Sequence, residues 1–396
     1  MNPVQSHSGP TAPAPRGTRP RDRRAQIRAA ATQLFHERGY DQVSLADVAA
    51  AVGVGPSALY RHYPSKVALL YDAIDMIITE YCATIDGLSA PDLTDLARTC
   101  ARTATAFRPL GVLWQREARS LPAEQRSALR LRLRAAAEIF AGAVQELRPE
   151  LDVDRAAFLG AAAVNAMNSI SFHRLTLPAP ELEELLTTVA GRILGYQFPG
   201  RVAPTHGRTA APTAPGSRRD QLEEAATTLF ARYGYDAVTI DDIGAAVGIA
   251  GPSIYNHVAS KEDLLFLSMR RAYAALEAAL EAALVGNAGP EDRLRRVSDS
   301  YVTLTYDHGD LVTNLIAESR NLSPEHQRVS RRAQVAYIGR WVDLVRELRP
   351  TEAVTVSRIK VQAAQMMANS LARTERLRSR PGFTDDVAEL CWLIQQ

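Results

Sequence analysis

The chain has 396 residues, of which 46% are hydrophobic and 23% are charged, and this is the composition of an ordinary globular protein with two or more domains. The formal net charge is only +2, so bulk charge does not indicate a nucleic-acid partner, and any such surface has to be a local patch. Because the sequence has neither a long uncharged apolar run nor an apolar signal segment, we expect a cytoplasmic protein with no membrane span.

The amino-terminal segment, residues 1–20, is rich in Pro, Ser, Thr and Gly, which predicts disorder. Its end is basic and leads directly into the first predicted helix. Two interpretations stay open: an arm that reaches DNA phosphates or the minor groove, or a solvated tail. The basic residues are Arg16, Arg19, Arg21, Arg23 and Arg24, and a thinner version before the second half consists of Arg208, Arg218 and Arg219.

A long internal repeat organises the chain. The segment from Val43 to Leu70 recurs from Val238 to Leu265, displaced by 195 positions without a gap. Over the 48 aligned positions that begin at Arg23 and at Arg218, 23 residues are identical. A repeat of this length indicates one structural unit that occurs twice.

Each copy is predicted to contain three helices: one that a glycine ends, a short second one that a Ser or Thr caps, and a third after a tight glycine turn. The second and third helices form a helix-turn-helix, whose second helix enters the major groove of DNA. The first two helices are predicted at Ala25–Arg38 and Leu45–Ala51, and in the second copy at Asp220–Tyr233 and Ile240–Ala246.

Most of the residues that we predict to contact DNA lie on the third helix of each copy or directly beside it, and the others stand near the start of the first and second helices. Small residues let its backbone approach base edges, a tyrosine offers a hydroxyl and a ring face, and a following His and Lys suit phosphate oxygens. Only three of the 46 basic side chains are lysines, and Lys66 and Lys261 occupy the same repeat position. The predicted DNA-binding residues are Arg24, Ser44, Gly55, Pro56, Ser57, Tyr60, Arg61, His62 and Lys66, and in the second copy Arg219, Thr239, Gly251, Pro252, Ser253, Tyr255, Asn256, His257 and Lys261.

The pattern G-[VI]-x-x-x-x-[LI]-Y-x-H-[aromatic]-x-S-K, which runs from Gly53 to Lys66, resembles the DNA-binding domain of TetR-family transcription regulators. The resemblance covers about 48 residues in each half of the chain. It implies a three-helix DNA-binding domain on a larger helical ligand-binding and dimerisation domain, usually in a repressor that a small molecule releases. The second copy departs from the pattern at three positions, where Asn256, Val258 and Ala259 replace Arg, Tyr and Pro.

The rest of the chain has helical spacing without a period-2 run, so the whole protein is predicted to be all-α. The duplication continues there at a displacement of 201, since Glu146–Pro149 recurs as Glu347–Pro350. The predicted domains are a disordered basic arm at 1–20, a first helix-turn-helix domain at 21–66, a helical regulatory domain at 67–197, a linker at 198–217, a second helix-turn-helix domain at 218–261 and a second regulatory domain at 262–396.

Two DNA-binding units on one chain predict an intrachain pseudo-dimer that reads an imperfect palindrome in double-stranded operator DNA, with a higher oligomer left open. In the alternative, only the amino-terminal copy binds DNA and the second copy is structural. The resemblance implies an interface of four helices, which would lie at about Asp154–Thr176 with Glu181–Gly195, and at Thr351–Leu377 with Thr384–Ile394.

The resemblance also implies a cavity for a hydrophobic small-molecule effector in the helical domains. Polar or aromatic residues on apolar helices are its candidate contacts, and ion pairing or core packing is the alternative for each of them. The candidates are Trp114, Glu117, Arg119, Asn165, Asn168, Glu318, Arg320 and Asn369.

Enzyme activity is not expected. The sequence lacks HExxH, GxSxG, Walker and Rossmann patterns, and its eight histidines are scattered. The three cysteines, Cys82, Cys100 and Cys391, show no paired spacing and are expected to be reduced thiols, with a redox switch as the alternative. We therefore predict no catalytic residue, no metal and no cofactor.

Overall fold

The computed structural model describes residues 20–199, 217–249, 251–286 and 288–396. Within these ranges the chain forms helices and no strand, so the predicted all-α fold with a duplicated helix-turn-helix is confirmed. None of the helices in these ranges has the length and apolar character needed to cross a membrane. The predicted arm at 1–20 and linker at 198–217 lie outside the described residues, apart from their flanking positions.

The chain divides into two compact units, Met1–Ala73 and Ile74–Gln396. In the first unit, Ser44 begins the second helix with a capping box: its hydroxyl accepts from the Asp47 backbone N–H, while the Asp47 carboxylate accepts from the Ser44 backbone. Phe35 and Leu59 are fully buried in its core. Its helices are α1 (Pro20–Arg38), α2 (Leu45–Ala51), α3 (Pro56–Tyr60) and the first turns of α4 (Lys66–Asp86).

The second unit begins within α4 and contains the first regulatory segment, which we define as α5–α9. Small and apolar residues on its helices, such as Ala97, Phe140 and Leu186, are buried in a continuous core. The helices are α5 (Leu93–Ala106), α6 (Leu110–Gln115), α7 (Ala123–Leu147), α8 (Val153–Asn168) and α9 (Ala179–Leu194), with 3₁₀ turns at Glu117–Ser120 and Ser169–Phe172.

The second helix-turn-helix copy also belongs to the second unit. Leu222, Phe230, Ile243 and Ile254 form its fully buried centre. Thr239 and Asp242 repeat the capping box of the first copy. The helices of this copy are α10 (Arg218–Tyr233), α11 (Ile240–Val247), α12 (Gly251–Ile254) and α13 (Lys261–Leu284).

The second regulatory segment, α14–α19, follows α13 and packs against it. Trp341 is fully buried at its centre, and its indole N–H donates to the Gln395 side chain at 2.5 Å. The helices are α14 (Pro290–Asp307), α15 (Gly309–Ala317), α16 (Pro324–Leu348), α17 (Val354–Ala372), α18 (Glu375–Arg378) and α19 (Phe383–Gln395), with a 3₁₀ turn at Ser319–Asn321.

The two regulatory segments pack on each other through four helices: α8 contacts α17, and α9 contacts α19. The buried Tyr196 hydroxyl donates to Asp386 Oδ1 at 2.9 Å across this junction. The predicted helix ends at Thr176 and Leu377 are wrong, because α8 ends at Asn168 and α17 ends at Ala372. Arg108 accounts for the first of these ends, since its guanidinium donates to the carbonyls of Ile170 and His173 at 2.8 Å and holds the chain outside the helix.

Candidate nucleic-acid interface

In the first copy, α3 presents one residue inward and the rest outward. Gly55 is its N-cap and Pro56 is its first residue, where the missing N–H costs no helical hydrogen bond. Leu59 is fully buried, whereas the Tyr60 side chain is 56% exposed. Ser57 and Arg61 are also exposed. This five-residue helix therefore keeps its predicted DNA-facing side chains available to a partner.

The second copy has the same division between core and surface. Ile254 is fully buried and Tyr255 is 58% exposed, which closely matches Tyr60. Asn256 and His257 are exposed as well. Of the predicted contacts, the side chains of Gly251 and Pro252 lie outside the described residues. We call α3 and α12, each with the tyrosine at or directly after its end, the two reading helices.

The reading helices are not identical in register. In the repeat, Pro56 aligns with Gly251, so the Pro-Ser pair of the second copy stands one residue later. Residues three apart share a helix face, whereas residues two apart do not. Ser57 therefore lies on the face of Tyr60, whereas Ser253 stands two residues before Tyr255, which follows the end of α12. The predicted DNA contacts of both serines stay predictions.

Lys66 and Lys261, which occupy the same position of the repeat, each stabilise the turn after the first helix of their own copy. Lys66 Nζ lies 4.1 Å from the centroid of the Tyr40 ring, and Lys261 Nζ lies 4.0 Å from that of Tyr235. Lys261 also donates to the carbonyls of Tyr235 and Val238, both at 2.9 Å, and burial lowers its pKa. The sequence Gly-Tyr-Asp follows the first helix in both copies, and this repetition could have indicated that the tyrosine packs against the lysine. Their predicted phosphate contacts stay predictions.

Arg24, a predicted DNA contact, belongs to a polar cluster in the first copy. Its guanidinium pairs with Asp72 at 3.3 Å and lies 5.1 Å from the centroid of the Tyr63 ring. The Tyr63 hydroxyl donates to Asp72 at 2.5 Å, and burial raises the Tyr63 pKa to about 12. At the repeat positions of Tyr63 and Asp72, the second copy has Val258 and Leu267, which join its apolar core. The departure at Val258 is therefore an exchange inside the core.

Four of the predicted ligand contacts instead pair with one another between the two regulatory segments. Arg320 Nη1 lies 2.5 Å from Glu117 Oε1, and Arg119 Nη1 pairs with Glu318 Oε1. The two glutamates are 201 positions apart in the repeat, and so are the two arginines. Each glutamate pairs with the arginine of the other segment, so the two ion pairs are related as across a two-fold axis. Both glutamates are buried. The structure thus places these four residues in the ion pairs that the sequence left open as the alternative to a ligand site.

Glu318 also contacts the second helix-turn-helix copy. Gly234, which ends α10 at a φ of +88°, would place a Cβ 3.9 Å from Glu318 Oε1 and from the Arg119 guanidinium. The Glu318 carboxylate accepts from the Tyr235 backbone and from the Asn321 side chain. Nearby, Asn314 Nδ2 donates to the Thr227 carbonyl of α10 at 3.0 Å. The ion pairs between the segments therefore adjoin the turn that Lys261 holds.

The other predicted ligand contacts are spread through the segments. Asn369 is buried and its Oδ1 accepts from the Tyr301 hydroxyl at 2.9 Å, which is a core role. Asn165 donates to a carbonyl of its own helix at 2.8 Å, and Trp114 and Asn168 are half-buried. A groove of about 630 Å³ lies between α9 and α19, but none of the eight predicted residues lines it.

One group of side chains has the ligand types of a metal site. Single ligand atoms of Glu262, Asp263 and His326 lie within 4.8 Å of one another. Glu262 Oε1 already accepts from the Ser323 backbone N–H at 2.8 Å and lies 2.8 Å from His326 Nδ1, while the His326 ring stacks on Phe266. These contacts join the start of α13 to the start of α16.

Fold and surface together define a helix-turn-helix protein in which two such units and two helical segments share one chain. Residues 27–73 and 222–267 both match the bacterial regulatory proteins of the tetR family, and residues 287–373 match the tetracyclin repressor-like C-terminal domain. The chain belongs to the TetR family and carries the amino-terminal domain of that family twice.

Several known proteins are similar to parts of this chain. It is 44% identical to the HTH-type transcriptional repressor KstR2 of Mycolicibacterium smegmatis over 54 residues, which are 14% of this chain and 26% of that protein. It is 29% identical to KstR2 of Mycobacterium tuberculosis over 140 residues, 33% of this chain and 66% of that protein. A TetR-family regulator from Bordetella parapertussis has a TM-score of 0.42 at 21% identity, covering 45% of this chain and 94% of that structure. The chain thus spans only about a quarter of the first relative.

Proposed function

We propose that this protein is a sequence-specific DNA-binding transcriptional regulator. The observation that carries the proposal is the matched exposure of Tyr60 and Tyr255, each of which directly follows the buried residue, Leu59 or Ile254, of its reading helix. A short helix anchored by one buried side chain, with a tyrosine and small residues outward, suits entry into the major groove. The two matches to the amino-terminal domain of the tetR family support a DNA-binding role for both copies.

We further propose that the two regulatory segments replace the two subunits of an ordinary dimer. The reciprocal ion pairs of Glu117 with Arg320 and of Arg119 with Glu318 support this, because isologous contacts of this kind normally join two identical chains. The domain boundaries at 66/67, 197/198, 217/218 and 261/262 stay part of this proposal. Sedimentation or light scattering should give the 43.2 kDa mass of one chain. A mass about twice as large at low concentration would contradict the proposal.

The operator is then an imperfect palindrome, because the two reading helices present different side chains. Arg61 in the first copy corresponds to Asn256 in the second, and the Pro-Ser pair is shifted by one residue. Arginine favours guanine and asparagine favours adenine in the major groove. The two half-sites should therefore differ in base composition and lie about one helical turn apart.

The regulator is proposed to repress transcription in the cytoplasm and to release DNA when a hydrophobic small molecule binds a regulatory segment. The match of residues 287–373 to the tetracyclin repressor-like C-terminal domain supports an effector-binding role for the second segment. The alternative, in which the second copy is structural only, draws no support from Val258, because that residue replaces Tyr63 in the core while Tyr255 stays exposed.

Selection of bound genomic fragments, followed by anisotropy titration of the tightest fragment, tests the function. Tyr60→Ala and Tyr255→Ala should each weaken binding by about tenfold or more, which corresponds to about 1.4 kcal/mol. Tyr233→Ala is the matched control, since that tyrosine is 53% exposed but lies outside the reading helices. Weakening by the first change alone would support the alternative of a single reading unit. Unchanged binding in both variants would overturn the regulator proposal.

A further inference from the structure

Three side chains with the ligand atoms of a metal site meet between the start of α13 and the start of α16. One ligand atom each of Glu262, Asp263 and His326 lies within 4.8 Å of the other two, and within the described part of the chain they are the only such group. All three residues are half-buried. An ion with bonds of about 2.1 Å holds neighbouring ligand atoms about 3.0–3.4 Å apart, so small side-chain rotations would bring these three atoms around one ion.

His326 is held in one orientation at this place. Its ring stacks on the Phe266 ring, with the centroids 3.7 Å apart and an angle of 5° between the planes. Its Nδ1 lies 2.8 Å from Glu262 Oε1, and the same oxygen accepts from the Ser323 backbone N–H at 2.8 Å. Two of the three ligand atoms are therefore nearly as close as neighbouring ligands of one ion, and contacts outside the pair orient both, as is usual for metal ligands.

The Asp263 carboxylate has no partner within the described residues. Its backbone N–H donates to the Ser260 hydroxyl at 3.0 Å at the N-cap of α13, but the carboxylate does not complete a capping box. At the starts of α2 and α11, by contrast, the aspartate in the same position accepts from the N-cap backbone. Glu262 pairs only with His326 among the described cationic groups. Two carboxylates thus stand beside one imidazole, with no arginine or lysine partner in these ranges.

The internal repeat shows that all three ligand residues belong to the second half of the chain alone. Their counterparts, at displacements of 195 and 201, are Val67, Ala68 and Gln125. The helix dipole favours acidic residues in the first turn of α13, but it does not account for a histidine on α16. A contact between Glu262 and His326 accounts for those two residues but not for Asp263. An ion that binds all three side chains accounts for the three exchanges together.

We propose that Glu262, Asp263 and His326 bind one divalent transition-metal ion of the class of Zn²⁺ between α13 and α16. Carboxylate oxygens and an imidazole nitrogen are ordinary ligands of such ions, whereas Mg²⁺ and Ca²⁺ take oxygen ligands. Because the three residues are half-buried, water can reach the remaining coordination positions. The proposal revises the expectation of no metal that the scattered histidines gave, and it does not depend on the proposed DNA-binding function.

The repeat also supplies variants that remove single ligands. Asp263→Ala copies Ala68, and His326→Gln copies Gln125, so each introduces a residue that the chain already has at the equivalent position. His308→Gln is the matched control, because it removes the same imidazole from an exposed position outside the cluster. Circular dichroism and thermal unfolding in the presence of EDTA verify that each variant folds without a metal.

Isothermal titration of the full chain with ZnCl₂, after treatment with EDTA and dialysis, tests the proposal. We expect one zinc equivalent per chain that binds at least tenfold more weakly in Asp263→Ala and in His326→Gln and is unchanged in His308→Gln. MgCl₂ should bind the wild type at least tenfold more weakly than ZnCl₂. The absence of zinc binding to the wild type, or wild-type affinity in either ligand variant, would overturn the three-residue site. Equal affinity for the two ions would overturn its assignment to a transition metal.

Thermal unfolding gives a second measurement on the same proteins. An ion that binds only the folded chain raises its unfolding midpoint, so ZnCl₂ should raise the midpoint of the wild type and of His308→Gln. Asp263→Ala should show little of this increase, and an increase equal to that of the wild type would overturn the role of Asp263. DNA is absent from both measurements, so failure of the regulator function would leave their results interpretable.

Discussion

Replacing Glu318 with glutamine removes the charge from one of the two ion pairs between the regulatory segments while keeping the shape of the side chain. Glu318 is only 4% exposed, and its carboxylate accepts from Arg119, from the Asn321 side chain and from the Tyr235 backbone. The Arg119 side chain is 29% exposed, so water can partly solvate it once the carboxylate charge is gone. Breaking a fully buried pair costs about 3–5 kcal/mol and an exposed pair contributes about 0–1 kcal/mol, so we expect a loss of about 2 kcal/mol.

A double-mutant cycle with Arg119→Met and Glu318→Gln isolates the pair from the other contacts of each residue. The coupling energy from chemical unfolding should be about 1–2 kcal/mol. The unfolding midpoint should not change between protein concentrations that differ about tenfold, because both partners belong to one chain. A coupling energy below about 0.3 kcal/mol, or a midpoint that rises with protein concentration, would refute the assignment of these residues to an intrachain junction.

Two further predictions concern partly buried polar groups. Lys261→Met should lower the free energy of unfolding by about 1.5–3 kcal/mol and Lys66→Met by less. Both lysines pack on a tyrosine ring, but Lys261 also donates to two carbonyls at 2.9 Å, whereas Lys66 donates to one at 3.5 Å. Thermal unfolding compares the two variants, and equal losses would contradict this prediction. Burial, together with the charge of Arg108, lowers the pKa of His173 to about 4. As the pH falls, His173 is therefore protonated in the unfolded chain before it is protonated in the folded chain. Between about pH 6.5 and pH 5 the free energy of unfolding should therefore fall by about 1.5 kcal/mol more in the wild type than in His173→Leu. Urea unfolding at each pH measures this difference, and midpoints that shift equally in the two proteins would contradict it.

The repeated unit was predictable because its signals are local. The glycine at position 39, the Ser44 cap and the apolar spacing around Phe35 each act within a few residues, and the structure has helix ends at those points. The reading helices followed from the same signals, and the structure buries the apolar Leu59 and Ile254 within them. The exposure of the tyrosines is a direct consequence of that spacing.

Long-range partners set the features that the sequence did not reveal. Apolar periodicity continues past Asn168, but the helix ends there because Arg108, 60 or more positions earlier, binds the carbonyls of Ile170 and His173. The packing of Lys261 on the Tyr235 ring depends on the fold in the same way. The shifted register of Ser253 is different, because an alignment of the two copies already contains it.

The two copies have diverged at a contact between their third and fourth helices. Where the first copy joins Tyr63 to Asp72 by a hydrogen bond, the second has Val258 and Leu267 in an apolar core, and neither partner was replaced alone. The second copy is a complete helix-turn-helix unit, and Glu318 ties its first turn to the junction of the regulatory segments. Any ligand that moves Arg119 away from Glu318 would therefore act directly on the turn beside the second reading unit.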